Sequence, residues 1–176
     1  MTSLYGISIS VLSEIIETQR HVLDKSVAWA EEHEISEAQF LAERIYPNML
    51  DLRLQVLIPL VLSRITIQKL SGKAIPAITP GSQTLAELYE LNEETQRYLK
   101  DVKREEVDGK EDEEVTVEFF GEELRTSARD LVQKYTVPVS YFHLSTLYAK
   151  FRSMGVPLGK KDYTCVTMKD FKLVNP

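Results

Sequence analysis

The 176-residue chain has the length and composition of a soluble globular protein that forms one domain over residues 1–176. Apolar residues make up 43% of the chain, charged residues 27%, and the formal net charge is −6 at pH 7. This negative charge disfavours nucleic acids and anionic membranes as partners, because binding to phosphate groups requires a basic surface. The single cysteine, Cys165, excludes an intramolecular disulfide and fits a reducing compartment.

Neither a targeting segment nor a membrane span is expected. The first five residues, Met1–Tyr5, contain no basic region ahead of an apolar stretch, so they do not resemble a signal peptide. The densest apolar run, Leu57–Leu62, is too short to cross a bilayer. Together these features predict a cytoplasmic protein.

The first half of the chain predicts two long helices. From Ser8 to about Glu32, apolar residues recur at helical spacing and form one stripe: Leu12, Ile15, Ile16, Val22, Leu23, Val27 and Ala30. Ser36 and Gln39 form a capping box for a short helical turn. A second long helix is predicted from about Pro47 to Ser71, with Gly72 at its end.

A third helix and an acidic segment follow. Thr84 and Glu87 form a second capping box, which opens a helix that runs to about Val102. The segment Lys103–Glu114 then contains three basic and seven acidic residues. Such a charge run predicts a solvated, mobile loop rather than an acidic docking site.

The last part of the chain predicts a hairpin and a fourth long helix. Apolar and polar residues alternate over Val115–Thr126 around Gly121, which indicates a β-hairpin that lies against the helices. Ser127 is the predicted cap of the fourth helix, which Pro138 interrupts and Gly155 ends. The predicted fold class is therefore all-α: an up-and-down four-helix bundle with a small β-hairpin before the last helix.

The fourth helix is apolar on nearly every side. Its predicted inner face, with His143 at the margin, consists of Tyr135, Val139, Phe142, Thr146 and Ala149. Its predicted outer face consists of Tyr141, Leu144, Tyr148 and Phe151. A helix that is apolar on two sides is normally buried on both, and four helices leave no other segment long enough to cover the outer face. We therefore expect a homodimer in which this face contacts a second subunit.

Of the three histidines, only His143 is a candidate for chemistry. His21 lies opposite the apolar stripe of the first helix, and His33 lies in a charged helix end, so both are expected at the surface. His143, in contrast, lies at the edge of the predicted core. An imidazole is a sound acid–base group, but a lone histidine at a core edge is more often a structural hydrogen-bonding residue.

Two prolines place unsatisfied backbone groups near polar side chains. Gln55 shares the apolar face of the second helix, and Pro59 removes the hydrogen-bond donor for the Gln55 carbonyl. Pro138 similarly frees the carbonyl of Lys134, about one turn before His143. Such kinks can open a cavity between helices, which is where bundle proteins build sites. In the alternative interpretation, water and neighbouring hydroxyls satisfy these groups and nothing binds.

Several segments together carry a resemblance to a known family. They are Arg44–Val56, Arg125–Asp130, Tyr141–His143, Gly155–Lys160 and Asp162–Tyr163. In these segments the chain resembles a family of domains of unknown function from bacteria and fungi, related to the DinB/YfiT-like four-helix bundles. The resemblance spans nearly the whole chain, and the Gly-Val-Pro-Leu-Gly-Lys segment is rather specific.

The resemblance implies a metalloenzyme-like fold with a degenerate metal site. Metal-binding relatives in the wider superfamily hold a divalent ion with one histidine on the second helix and two histidines four residues apart on the last. Here the resemblance implies that Gln55 occupies the second-helix position. The residues four before and four after His143 are Val139 and Leu147, so the paired histidine is absent. We therefore expect no tightly held metal and no other cofactor.

Three functional hypotheses remain open. The first is a binding protein for a small hydrophobic molecule, with Gln55, Tyr135 and His143 as the polar groups of a pocket between the second and fourth helices. The second is a cofactor-independent isomerase or lyase in which His143 is the general acid–base and a tyrosine hydroxyl its partner. The third is a structural or interaction protein that uses the outer face of the last helix.

Overall fold

The computed structural model describes residues 3–119 and 121–172, which are mainly helical and include one two-stranded antiparallel sheet. The α-helices and β-strands in chain order are α1 (Val11–Glu32), α2 (Glu37–Ala42), α3 (Leu52–Ser71), α4 (Leu85–Asp101), β1 (Glu114–Phe119), β2 (Glu122–Ser127), α5 (Ala128–Asp130), α6 (Val137–Met154) and α7 (Lys160–Thr164). Two π-helical segments, Gly6–Ser10 and Leu131–Thr136, lead into α1 and α6.

Local capping signals place most helix ends where the sequence predicts them. The capping boxes at Ser36 and Thr84 are both confirmed, and each side chain accepts a hydrogen bond from the backbone three residues later. Gly72 and Gly155 end α3 and α6 in the left-handed conformation, with φ of 75° and 103°. Glycine adopts this conformation without the steric penalty that a Cβ atom imposes.

The predicted start of the second long helix at Pro47 is wrong. This helix, α3, begins at Leu52, and the Asp51 side chain accepts a hydrogen bond from the Leu54 amide at 3.0 Å. Residues 43–51 form a loop in which Arg44 Nη1 donates to the Met49 carbonyl at 2.9 Å. The Asp51 side chain satisfies a backbone amide of the first helical turn that would otherwise have no partner. Proline at a first-turn position only lacks such an amide and satisfies none, and the helix starts after the aspartate.

The other three long helices, α1, α4 and α6, each contact α3. By length and composition α3 is long and apolar enough to cross a membrane, but 61% of its most apolar 18-residue stretch is buried inside the protein. The core helix of a soluble bundle has the same composition, because its side chains contact neighbouring helices on several sides. Phe40 of α2 stacks on Phe151 of α6 with ring centroids 5.5 Å apart.

The predicted inner and outer faces of the last helix are wrong. Leu144 and Phe151, assigned to the outer face, are 1% and 0% exposed, whereas Phe142, assigned to the inner face, is 57% exposed. Both faces of α6 are apolar, and the face that is buried also carries the polar residues Ser140 and His143. The residues proposed for a dimer interface therefore include core residues of a single chain.

The acidic segment is attached to the helices rather than extended into solvent. Val107 is fully buried, and the Asp108 carboxylate accepts a hydrogen bond from the Tyr5 amide at 2.7 Å. Lys73 of the α3–α4 loop forms an ion pair with Glu106 at 2.9 Å, and Lys110 donates to a carbonyl at the end of α3. Most charged side chains of the segment are exposed, as predicted, but these contacts tether it to the helices, which charge composition alone did not indicate.

The predicted hairpin is confirmed, with β1 and β2 paired so that Val117 lies opposite Leu124. Phe120, which belongs to the predicted segment, lies outside the described residues. Ser127 caps the following helix by accepting a hydrogen bond from the Asp130 amide at 3.1 Å. The chain then stays helical through the second π-helical segment into α6, so the predicted interruption at Pro138 is a change from π-helix to α-helix beside the proline rather than a break.

Candidate functional site

An apolar cavity of about 290 Å³ lies between the hairpin and the second π-helical segment. We call it the hairpin cavity and define it by its lining residues: Val117, Phe119, Leu124, Arg125, Thr126, Asp130, Leu131, Lys134 and Tyr135. Ligand sites in proteins are concave, mostly apolar and supplied with a few polar groups. The hairpin cavity has these properties.

Strand periodicity and the π-helical segment together build this cavity. Because alternate strand residues share a face, Val117 and Phe119 lie on one side of the hairpin, and the cross-strand pairing adds Leu124 to the same side. Leu131 and Tyr135 come from the π-helical segment opposite. Segments of π-helix are rare and are frequently found at functional sites.

Tyr135 supplies an uncommitted polar group to the cavity. Its ring contacts that of Phe119 edge to face, with the centroids 5.2 Å apart. Burial raises the pKa of the Tyr135 phenol above its ordinary value of 10.0, so the hydroxyl stays protonated at neutral pH. This hydroxyl makes no hydrogen bond to any residue that the structure describes. It is therefore available as a donor or an acceptor.

Gln55 and His143 meet in the core, where α3 packs against α6. The Nδ1 atom of His143 lies 2.7 Å from Oε1 of Gln55, and the two residues are 6% and 3% exposed. The Gln55 amide nitrogen donates to the Leu50 carbonyl at 3.1 Å, which fixes the amide orientation and leaves Oε1 as the acceptor. His143 Nδ1 must then be the protonated nitrogen of a neutral ring.

The neutral form of His143 is stabilised by burial. Desolvation lowers the pKa of this imidazole from 6.5 to about 4, because the charged form loses its hydration. With the proton on Nδ1, Nε2 is a lone-pair acceptor, and it has no hydrogen-bond partner within residues 3–119 and 121–172. The pair thus presents one unprotonated nitrogen at neutral pH.

Polar groups on α1 and α6 add to this layer of the core, and the sequence analysis missed them. Gln19 of α1 donates through Nε2 to the Val56 carbonyl at 3.0 Å, close to Pro59. Gln19 Oε1 and Ser140 Oγ are buried and have no hydrogen-bond partner in the described part of the chain. Gln19 follows Ile16 by three residues on the apolar stripe of α1, and this spacing was the signal that could have identified it.

The structure divides the three predicted site residues between two places. Gln55 and His143 are in contact, but Tyr135 precedes His143 by eight residues, which is about 12 Å along a helix at 1.5 Å per residue. Tyr135 lines the hairpin cavity, whereas neither Gln55 nor His143 does. The expected pocket with all three residues is therefore not one site.

The donor set around His143 does not fit the metal site that the resemblance implies. Leu147 and Val139 supply no ligand atoms, and Gln55 Oε1 already accepts the Nδ1 hydrogen. In the described ranges, no three His, Cys, Asp or Glu side chains cluster in a way that could hold a metal ion. Transition metals require several imidazole, thiolate or carboxylate ligands around one ion.

The other two histidines lie away from His143. His33 is exposed, as predicted, and its ring stacks on Trp29 with centroids 4.2 Å apart. His21 is only partly exposed, because its Nε2 lies 3.3 Å from Oδ1 of Asp162 in α7. Asp162 also pairs with Lys25 at 2.6 Å, and this contact and its other hydrogen bonds lower the pKa of the Asp162 carboxyl to about 2. These contacts attach the C-terminal helix to α1.

Comparison with known proteins identifies the family and the fold. Residues 4–164 match the family described as Domain of unknown function (DUF1993). The fold is similar to that of a crystal structure of a DinB family member from Shewanella denitrificans, with a TM-score of 0.77 and 25% sequence identity over 91% of this chain and 90% of that chain. No curated protein matches the chain. The resemblance drawn from the sequence is thereby confirmed as to family and fold: the chain belongs to the DUF1993 family and has a DinB-like fold.

Proposed function

We propose that this protein binds a small hydrophobic molecule in the hairpin cavity, with the Tyr135 hydroxyl orienting the ligand. The observation that carries the proposal is an apolar cavity of about 290 Å³ with one phenolic hydroxyl that has no partner among the described residues. This volume is at the lower end of the range of about 300–1,000 Å³ that is typical of ligand sites. The proposal keeps the predicted ligand class and Tyr135, but moves the site away from Gln55 and His143.

The test is a titration with 1-hexanol, followed through the methyl resonances of the protein by NMR. Saturable shifts are expected at Val117, Leu124 and Leu131, because these side chains line the cavity. Leu124→Trp should abolish the shifts, since the indole fills the cavity from an already exposed position. Met168→Trp, at a similarly exposed position in the C-terminal segment, is the matched control and should leave binding unchanged. Shifts that do not saturate, or that persist in Leu124→Trp, would contradict the proposal.

A second candidate is the cofactor-independent enzyme with His143 as the acid–base. The fixed tautomer favours it, because Gln55 leaves the Nε2 lone pair of His143 free to accept a proton. The lowered pKa of about 4 weighs against it, since a general base is most effective when its pKa is near the working pH. A His143→Gln variant that still binds substrate and no longer converts it would support this candidate over simple binding.

The third candidate, an interaction protein, has less support, because much of the outer face assigned to the last helix is core. Exposed apolar side chains remain elsewhere, at Ile45, Tyr46, Leu50 and Phe142. A homodimer therefore stays a proposal with a different interface from the one expected. Light scattering at micromolar concentration should give twice the mass of one chain, and the mass of one chain would contradict it.

We further propose that the four long helices form an up-and-down four-helix bundle in one domain over residues 1–176, and that the protein is cytoplasmic. The mutual packing of α1, α3, α4 and α6 supports the bundle. The unpaired Cys165 and the acidic composition support the location. A crystal structure with a different helix order, or fractionation of the full-length protein to a membrane, would contradict these proposals.

A further inference from the structure

We propose that the ligand of the hairpin cavity is a hydrophobic cation of the alkylammonium class. This inference rests on the proposed function, because it names the chemistry of the molecule that the cavity binds. Three features support it: the aromatic rings of the cavity, the carboxylates of the hairpin, and the ion pairs formed by the two positive side chains of the lining.

Two aromatic rings meet at a right angle in the cavity wall. The rings of Phe119 and Tyr135 have an interplanar angle of 88° and centroids 5.2 Å apart. The face of an aromatic ring is electronegative, and it attracts an ammonium group placed within about 6 Å of the centroid. Recognition of quaternary ammonium groups commonly uses such aromatic walls, because the same surface also contacts the apolar part of the ligand.

The tip of the hairpin concentrates negative charge next to these rings. The strand register places Glu122 opposite Phe119, on the face of the hairpin that borders the cavity, and Glu118 opposite Glu123 on the other face. None of these three carboxylates forms an ion pair with a residue in the described ranges. A cation in the cavity lies on the same face of the hairpin as Glu122, which attracts it at the shortest range, and Glu118 and Glu123 on the opposite face add a weaker attraction.

Both positive side chains that line the cavity form ion pairs with carboxylates. Lys134 Nζ lies 2.6 Å from the Asp130 carboxylate, and Arg125 Nη1 lies 3.7 Å from the Glu114 carboxylate. Because each positive charge has a carboxylate partner, Glu118, Glu122 and Glu123 leave the surroundings of the cavity with a net negative formal charge. The net charge of −6 on the whole chain acts in the same direction. An anionic ligand of the same shape would be repelled.

The test compares three probes with the same six-carbon chain: hexyltrimethylammonium, 1-hexanol and hexanoate. The cation should bind about fivefold more tightly than the alcohol at low salt, and hexanoate should bind most weakly. Raising the salt concentration to about 0.5 M should reduce the advantage of the cation, because surface charges are then screened. The affinity of 1-hexanol should change little.

Variants separate the charge from the cavity itself. The double variant Glu122→Gln/Glu123→Gln should lower the preference for the cation over the alcohol and leave 1-hexanol binding intact. Glu90→Gln, at an exposed position of α4, is the matched control and should change neither affinity. Phe119→Leu should lower the affinity for the cation more than the affinity for the alcohol, because leucine keeps an apolar wall but has no aromatic ring.

The outcomes distinguish this inference from the proposed function. Equal affinities for the cation and the alcohol, or tightest binding of hexanoate, would overturn the inference and leave the hydrophobic binding site standing. Failure of all three probes to bind would overturn both proposals.

Discussion

The Nδ1 atom of His143 donates to the Gln55 side-chain oxygen over 2.7 Å, and this bond joins α6 to α3 inside the core. The Leu50 carbonyl holds the other end of the Gln55 amide, so three segments share one short chain of hydrogen bonds. A buried polar pair of this kind specifies how two apolar helices align, since any other register leaves its groups unsatisfied.

The stability of the protein should depend on pH through His143. Its folded pKa is about 4, below the ordinary value of 6.5, so between these values the unfolded chain binds a proton that the folded chain does not. Stability should therefore fall as the pH decreases from 6.5 towards 4. From pH 7.5 to pH 5 this residue should account for a loss of about 2 kcal/mol in the free energy of unfolding, measured with urea.

The His143→Gln variant provides the comparison, because glutamine does not titrate and can still donate to Gln55. Its unfolding free energy should fall less over the same pH interval than that of the unmodified protein. His33→Gln is the matched control, since His33 is exposed. If His143→Gln and the unmodified protein lose the same stability between pH 7.5 and pH 5, the buried neutral histidine is not the cause.

Removing the acceptor of this pair should destabilise the fold without creating a large void. In Gln55→Leu, the Nδ1 hydrogen of His143 and the Leu50 carbonyl both lose their partner, which should cost about 1–3 kcal/mol. The double variant Gln55→Leu/His143→Leu should recover part of this loss, because no unsatisfied imidazole remains. Gln133→Leu, at an exposed position, should change the unfolding free energy by less than about 0.5 kcal/mol. Additive single effects in the double variant would argue against a direct bond.

Sequence reasoning predicted the parts of the fold that depend on neighbours within one turn. The caps at Thr84 and Gly72 depend on the chemistry of a few consecutive residues, and both were correct. The core face of α6 was predicted incorrectly, because a helix that is apolar on all sides has two faces that could pack against the core. Only the packing of the other helices decides between Phe142 and Leu144.

The candidate site was predictable to a similar extent. The inward position of Gln55 followed from the stripe on its own helix, and burial confirms it. Its partner could not be derived, since the relative rotation of α3 and α6 is a tertiary property. The hairpin cavity depends on the π-helical segment, Leu131–Thr136, whose shift of one residue in hydrogen bonding leaves no recognisable period in six residues.

Arg64 should be a major determinant of stability away from the candidate sites. This buried side chain of α3 donates to Thr95 Oγ1 at 3.0 Å and to the Pro76 carbonyl at 3.1 Å. It also donates to the Leu91 carbonyl and pairs with Glu94 at 2.9 Å, so one guanidinium attaches both the α3–α4 loop and α4 to α3. Arg64→Met should lower the free energy of urea unfolding by about 2–4 kcal/mol.

Two further variants make the Arg64 prediction specific. Arg97→Met removes an exposed arginine that also pairs with Glu94, at 4.0 Å, and it should cost less than about 1 kcal/mol. Arg64→Lys should recover little of the loss, because one ammonium cannot reach the separate acceptors that a guanidinium spans. Equal effects of Arg64→Met and Arg97→Met would show that the carbonyl contacts of Arg64 do not stabilise the fold.

The purified, untagged protein should contain far less than one transition metal ion per chain. His143 Nε2 is the one imidazole nitrogen available next to Gln55, and the positions one turn away carry Val139 and Leu147. A single neutral imidazole does not outcompete water for a metal ion without further imidazole or anionic ligands.

Elemental analysis provides the measurement, with His143→Ala and His33→Ala as paired variants. Stoichiometric zinc or nickel that disappears in His143→Ala but remains in His33→Ala would contradict the prediction. Other residues would then have to complete the metal site, and the proposal that the protein is an enzyme would be better supported than the proposal that it only binds a ligand.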